Sequence, residues 1–234
     1  MRCKPFSLAE VAYFPGVTPS NVKKLHLEGK GPTPATTPAG RRTYSAEQML
    51  ELRAYLDRHG RTGVKTYVPH RRAGEAMQIL SVVNFKGGSG KTTKAAHLAQ
   101  FLALTGHRVL AIDLDPQASL SALHGVQPEL DRNPSLYDAI RYDEHRLNWF
   151  RYLVTRYEPT DGPQSQMVGF MQALFPGQML KSTAIADAGI TNQTLYEVDR
   201  AQFNRATYDR AWDAMNAVNE EVASLLRRAW GRRP

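Results

Sequence analysis

Apolar positions in the first sixty residues recur at helical spacing between short polar breaks. Leu8, Val11 and Ala12 share a face, and Ser7 with Glu10 has the S-x-x-E spacing in which each side chain satisfies a free N–H at a helix start. Pro15-Gly16-Val17 breaks that helix. Thr18-Pro19 opens another, with Thr as N-cap and Pro at the first helical position. Val22, Leu25 and Leu27 form its expected inward side, and Ser20, Asn21, Lys23, Lys24 and His26 its polar side. Gly29-Lys30-Gly31-Pro32 ends it. A Pro/Thr/Gly stretch with Arg41, Arg42 and Tyr44 predicts a hairpin. Ser45 with Gln48 then repeats the capping box ahead of a helix whose Met49, Leu52 and Leu56 share one face.

Helical periodicity stops over residues 61–76, which are rich in Gly and basic residues and read as a linker. Ile79–Val83 is a short apolar run of the kind a buried parallel strand carries, followed at once by FKGGSGKTT at 85–93. Ala95, Ala96, Leu98, Ala99, Leu102 and Ala103 predict a helix stopping at Gly106. Val109–Ile112 predicts a second strand, ending in DLDPQAS. Strand, Gly-rich loop, helix, strand is the opening βαβ unit of a P-loop nucleotide-binding fold. Further on, Tyr152–Thr155 reads as a strand, 166–174 as a helix, and Thr207–Trp230 as a long amphipathic helix.

The expected architecture is α/β: a winged helix-turn-helix over 1–60, a basic linker over 61–76, and a P-loop NTPase domain in two parts, 77–146 and 147–234. The winged-helix expectation rests on the order helix, tight turn, basic helix, basic hairpin, helix.

Charge strengthens the reading of the first part. Residues 1–76 hold 13 of the 30 Lys and Arg but only 6 of the 22 Asp and Glu, so nearly all of the net charge of +8 sits there. A concentrated basic segment suits a polyanion, nucleic acid first and an anionic membrane second, although a solvated basic face has the same composition. Ser20, Asn21, Lys23 and Lys24 on the second helix are candidates for base and phosphate contacts, with Lys30, Arg41 and Arg42 on phosphates. No apolar run approaches the roughly 18–20 residues of a membrane span. The opening MRCKPFSLAEV lacks a secretory pattern. One cysteine, Cys3, excludes an internal disulfide. The expected setting is cytoplasmic and nucleoid-associated, with no membrane partner.

The Gly-rich loop carries its own chemistry. Glycines let successive backbone N–H groups converge on phosphate oxygens, and the following helix N-terminus adds its positive dipole. Lys91 is placed for the outer phosphates, and the Thr92 hydroxyl for Mg²⁺.

Three resemblances follow from these residues. The runs FSLAEVAYFPGVTPSNVKKLHLEGKGPTP and GRRTYSAEQMLELRAYL resemble the MerR-like winged-helix family. In KGGSGKTT, Phe85 stands where the ordinary P-loop has glycine and Lys86 begins the motif, which resembles the deviant Walker A of the ParA/MinD family. That resemblance implies ATP or ADP with Mg²⁺ held by Lys86, Gly87, Gly88, Ser89, Gly90, Lys91, Thr92 and Thr93. It also implies a self-dimer in which Lys86 acts on the partner copy's nucleotide. DLDPQAS resembles the family's switch I, which implies that Asp115 organises Mg²⁺ and the attacking water while Asp113 supports the same site. LVTRYEPTDGPQ and MLKSTAI resemble the RepA family of RepABC-type replication-partition operons, which implies DNA segregation, repression of its own operon, and a ParB-type centromere-binding partner.

The resemblance has a gap. No apolar run between 116 and 234 ends in the D-x-P-P of a Walker B strand, and roughly a hundred residues of the family pattern are missing near 144–149. The expectation is an internally deleted chain with an incomplete P-loop domain. A doubly wound sheet buries its central strands on both faces. At about 25 cal/mol per Å², losing a few hundred Å² of apolar burial approaches a domain's whole stability. Two functions follow: a partition ATPase with impaired hydrolysis, or a DNA-binding regulator without ATPase activity.

Overall fold

The computed structural model describes residues 4–60, 66–83, 88, 90–113, 115, 117–126, 154–157, 178–180, 183–190 and 193–232. The chain divides into two compact units. One comprises residues 3–75 with 100–109; the other comprises 1–2, 76–99 and 110–234.

In the first unit, β1 (Phe6–Ser7) leads into α1 (Leu8–Tyr13), α2 (Pro19–Leu27), β2 (Ala35–Thr36), β3 (Arg42–Tyr44) and α3 (Ala46–His59). Each helix starts where the side-chain chemistry places it. Ser7 N–H donates to Glu10 Oε2 at 2.8 Å and Glu10 N–H to Ser7 Oγ at 3.4 Å, closing the capping box of α1. Thr18 Oγ1 accepts from Asn21 N–H at 3.2 Å ahead of Pro19. Ser45 and Gln48 exchange bonds of 2.9 and 3.2 Å at the head of α3. The three strands form one antiparallel sheet in the order β1-β3-β2, with Phe6 opposite Tyr44 and Thr36 opposite Arg42.

Phe6, Val11, Val22, Tyr44, Met49 and Leu52 fill the core between helices and sheet, and Phe101 stacks edge-on to Phe14 with ring centres 6.3 Å apart. Leu27 departs from the expectation and is 69% exposed. It follows the half-buried Leu25 by two positions, and a 3.6-residue repeat carries that step round to the other side of the helix.

Arg53 is charged yet buried. It sits on the buried side of α3, and its guanidinium donates to three backbone carbonyls: Leu104 at 2.9 Å, Tyr67 at 2.7 Å, and Phe14. Tyr67 and Val68 N–H groups also bond Asp57 Oδ1, at 2.8 and 3.3 Å, so part of the Gly- and Arg-rich stretch lies on α3. Gly106 completes this corner. Its φ is +97°, and a Cβ there would stand 3.0 Å from Pro69 and 3.2 Å from Tyr67 O, so only glycine fits without displacement.

The second unit is helical where it is best packed. α4 (Lys91–Leu104) gives its first nine residues to this unit and its last five to the other. α5 (Ser119–Leu123) is short. β4 (Val154–Tyr157) and β5 (Gln178–Leu180) pair in parallel. α6 (Thr183–Ile190) and the 25-residue α7 (Arg205–Ala229) close the unit. Ala184, Ile185 and Ala188 of α6 pack with Leu195, Val198, Tyr208, Ala211 and Met215. The expected segment Tyr152–Thr155 meets β4 at Val154; residues 152–153, the helix expected at 166–174 and the join near 144–149 lie outside the described residues.

The strands expected at 79–83 and 109–112 do not form. Both runs lack strand pairing, and Ile79, Val83, Val109, Leu110 and Ile112 stand 37, 56, 39, 84 and 49% exposed. The reason is non-local. A parallel strand closes its ladder only on a neighbouring strand, and among the described residues no strand pairs with either run. Among the described residues no helix is long and apolar enough to cross a membrane.

Candidate functional site

Two surfaces carry the sequence-derived candidates, one in each unit.

In the first unit, α2 turns Ser20, Asn21, Lys23 and Lys24 to solvent while Val22 is buried. The β2–β3 hairpin turns over Thr37–Gly40, where Gly40 N–H bonds Thr37 O at 2.9 Å, and it lifts an exposed Arg41 and a half-buried Arg42. Lys24 and Lys30 face Glu28, at 3.8 and 2.8 Å. That ion pair holds the Glu28 carboxyl below the usual carboxylate range, first through the Lys30 hydrogen bond, and the Lys30 ammonium correspondingly above its own. Lys23 makes no ion pair among the described residues.

In the second unit, α4 begins immediately after Gly90. Gly88 and Gly90 take φ of +65° and +82°, the left-handed backbone that lets a Gly-rich loop fold its N–H groups toward one point. Lys94 N–H bonds Gly90 O at 2.9 Å, which closes the first turn of α4 on the glycine that precedes it. Lys86, Gly87 and Ser89 lie outside the described residues. Thr92 and Thr93 line a cavity of about 110 Å³ with His97, Ser119, Leu123, Gln193 and Thr194. Its lining combines the hydroxyls of Thr92, Thr93, Ser119 and Thr194 with the Gln193 amide, next to the start of α4.

Asp113 and Asp115 have local work. The Asp113 carboxylate accepts from Leu120 N–H and Ser121 N–H, both at 3.0 Å, and from Ser121 Oγ at 3.2 Å. It thus satisfies the free donors of α5, whose own N-cap, Ala118, has no side chain to do so. Asp115 accepts from Gln117 N–H at 3.0 Å, the Asp turn that Asp-Pro sequences favour.

The sequence reading missed the buried side of α4. Lys94, His97 and Gln100, spaced by three, are all essentially inaccessible. Lys94 Nζ donates to Asn219 Oδ1 on α7 and lies 3.6 Å from Met215 Sδ, and burial lowers its pKa to about 7. His97 Nε2 accepts from Leu195 N–H at 3.0 Å, which assigns the proton to Nδ1, donated to Thr93 O at 2.7 Å. Burial lowers its pKa to about 4. Asn219 Nδ2 donates to Tyr196 OH at 2.9 Å, and Tyr196 OH to Asn216 Oδ1 at 2.6 Å, extending the network. A stripe Lys-x-x-His-x-x-Gln looks like a solvated helix face; only the distant Asn216 and Asn219 at i, i+3 hint at partners.

The CobQ/CobB/MinD/ParA nucleotide binding domain matches residues 80–195. A protein named replication protein A from Sinorhizobium fredii is 45% identical over 357 aligned positions, covering 98% of this chain and 88% of the relative. The chain belongs to this ParA/MinD nucleotide-binding family. A second protein of the same name, from Rhizobium rhizogenes, is 36% identical with the same coverage. The chromosome partitioning protein ParA of Caulobacter vibrioides is 44% identical over 64 residues, 27% of this chain and 24% of the relative. Both replication-protein alignments exceed the chain's 234 residues by well over a hundred positions, so these relatives carry a long internal segment for which this ParA/MinD-family chain has no residues.

Proposed function

We propose that this chain is a partition-type DNA-binding protein whose first unit is a winged helix-turn-helix, and whose nucleotide site binds Mg-ATP or Mg-ADP feebly and turns it over at background rate. The observation that carries the reading is the contrast in exposure. The fully packed first unit holds Ser20, Asn21, Lys23, Arg41 and Arg42 on one helix and one hairpin, whereas the runs flanking the nucleotide loop are unpaired. In this reading α2 offers its side chains to base edges and the hairpin its arginines to phosphates, on operator and nonspecific duplex alike. Repression of its own operon follows from the same contacts.

At the nucleotide loop, the first-turn N–H groups of α4, Lys91 and Thr92 bind phosphate and Mg²⁺, with Lys86, Gly87, Gly88, Ser89, Gly90 and Thr93 completing the cradle. A bound Mg²⁺ would neutralise phosphate charge. Hydrolysis asks for an in-line water and a carboxylate held for it. Asp113 is engaged in capping α5, and Asp115 together with a trans Lys86 would need a dimer built on a complete sheet. A ParB-type partner and self-dimerisation belong to the same proposal.

The test is fluorescence anisotropy of the full chain with a labelled duplex. Affinity falls steeply with salt, and Lys23→Ala and Arg41→Ala each weaken it. Binding that does not respond to salt would sink the assignment.

A further inference from the structure

The basic surface of the first unit contains one acid in an unusual place. Glu28 is the C-cap residue of α2, the negative end of the helix dipole, where a cation is the stabilising choice. Its position is fixed by a Schellman turn. Gly29 N–H bonds His26 O at 3.1 Å, Lys30 N–H bonds Leu25 O at 2.8 Å, and Gly29 takes a φ of +65°. This turn folds Lys30 back, so that its ammonium meets Glu28 Oε2 at 2.8 Å while Lys24, one turn earlier, approaches Oε1 at 3.8 Å. A carboxylate thus stands between two of the five cations, Lys23, Lys24, Lys30, Arg41 and Arg42, that the DNA-binding reading places against the duplex. Folding does not account for it: an exposed ion pair adds little stability, and the dipole opposes an acid there.

We infer that Glu28 is an internal phosphate mimic that occupies Lys24 and Lys30 in the free protein, lowers affinity for nonspecific duplex, and leaves tight binding to sites where base contacts make up the difference. This rests on the DNA-binding reading above. A phosphate reaching either lysine must displace the carboxylate, and the displaced charge then faces the DNA backbone. The lysine–phosphate contacts are therefore partly cancelled at any sequence. Contacts from Ser20, Asn21 and Lys23, which the ion pair does not involve, keep their full contribution. Selectivity rises because the sequence-independent part of the affinity falls.

The experiment uses the full chain and a random-sequence duplex of about 20 base pairs, titrated by anisotropy between about 50 and 200 mM salt. Four proteins are compared: wild type, Glu28→Gln, Glu28→Asp and Lys23→Ala. Glu28→Gln keeps shape and removes charge, so it binds about three- to tenfold tighter at the low-salt end, with a plot of log K against log salt steeper by about one unit. Glu28→Asp keeps the charge and stays within about twofold of wild type. Lys23→Ala weakens binding and flattens the salt slope. If Lys23→Ala weakens binding but Glu28→Gln leaves it unchanged or weaker, the mimic is wrong and the DNA-binding reading stands. If wild type shows no salt-dependent binding, the DNA-binding reading falls and takes this inference with it.

Discussion

The capped helices of the first unit and the apolar runs around the nucleotide loop were both written plainly in the sequence, yet only the former took the expected structure. The difference is the distance over which each signal is satisfied. Ser7 needs Glu10, Thr18 needs Asn21 and Ser45 needs Gln48, all three residues away, and each pair is made. Ile79–Val83 and Val109–Ile112 need strands from elsewhere in a sheet, and the relatives carry a long internal segment that this chain lacks. A local signal survives an internal loss; a strand signal reports only a potential that its neighbours realise.

Arg53 gives the largest way to break that contrast, because it is a non-local element of the well-formed unit. Arg53→Ala removes donors from the Phe14, Tyr67 and Leu104 carbonyls together. The expected cost is about 3–5 kcal/mol, the scale for breaking a buried charged network. Hydrogen exchange should report it as lost protection of α3 amides. Unchanged protection would mean that the unit is held by its local caps alone.

Protonation of the second unit comes next. Lys94 titrates near 7 in the folded chain against an ordinary 10.5, so between those values the unfolded chain binds more protons and stability rises with pH. His97, near 4 against an ordinary 6.5, adds stability that is present above pH 6.5 and lost as pH falls toward 4. Each effect is on the order of 3–5 kcal/mol at most, at about 1.4 per pKa unit. Trp212 and Trp230 both belong to this unit, so tryptophan fluorescence during urea unfolding reports on it. Lys94→Met should abolish the rise between pH 7 and about 10, and a persistent rise would place its origin elsewhere.

The smallest effect is the sharpest for the missing strands. Leu110 is 84% exposed, so Leu110→Asp should change stability by less than about 0.5 kcal/mol. A central strand would lose several times that by burying an unpaired charge. A large loss would mean that the 109–112 run is buried after all.

Legibility followed the same line within the candidate sites. Lys23, Lys24, Lys30, Arg41 and Arg42 could be placed because helix period and turn residues fix their faces, whereas Leu27 could not, since its neighbour Leu25 already supplied the inward side. At the nucleotide loop, GKT and the start of α4 were readable, and the buried partnership of Lys94 with Asn219 was not, because 125 residues separate them. The motif alone points Asp113 to catalysis; its bonds to Leu120 and Ser121, seven and eight residues on, need the turn through the left-handed Ala118 that brings the start of α5 back to it.

On the proposed function, this chain binds DNA without appreciable turnover of nucleotide. Steady-state phosphate release from Mg-ATP by the full chain, with saturating duplex DNA and a ParB-type partner present, tests it most directly. Release should run at the rate of the protein-free control, with Asp115→Ala indistinguishable from wild type. Robust DNA-stimulated release that Asp115→Ala removes would contradict it, and would make the absent internal segment dispensable for catalysis.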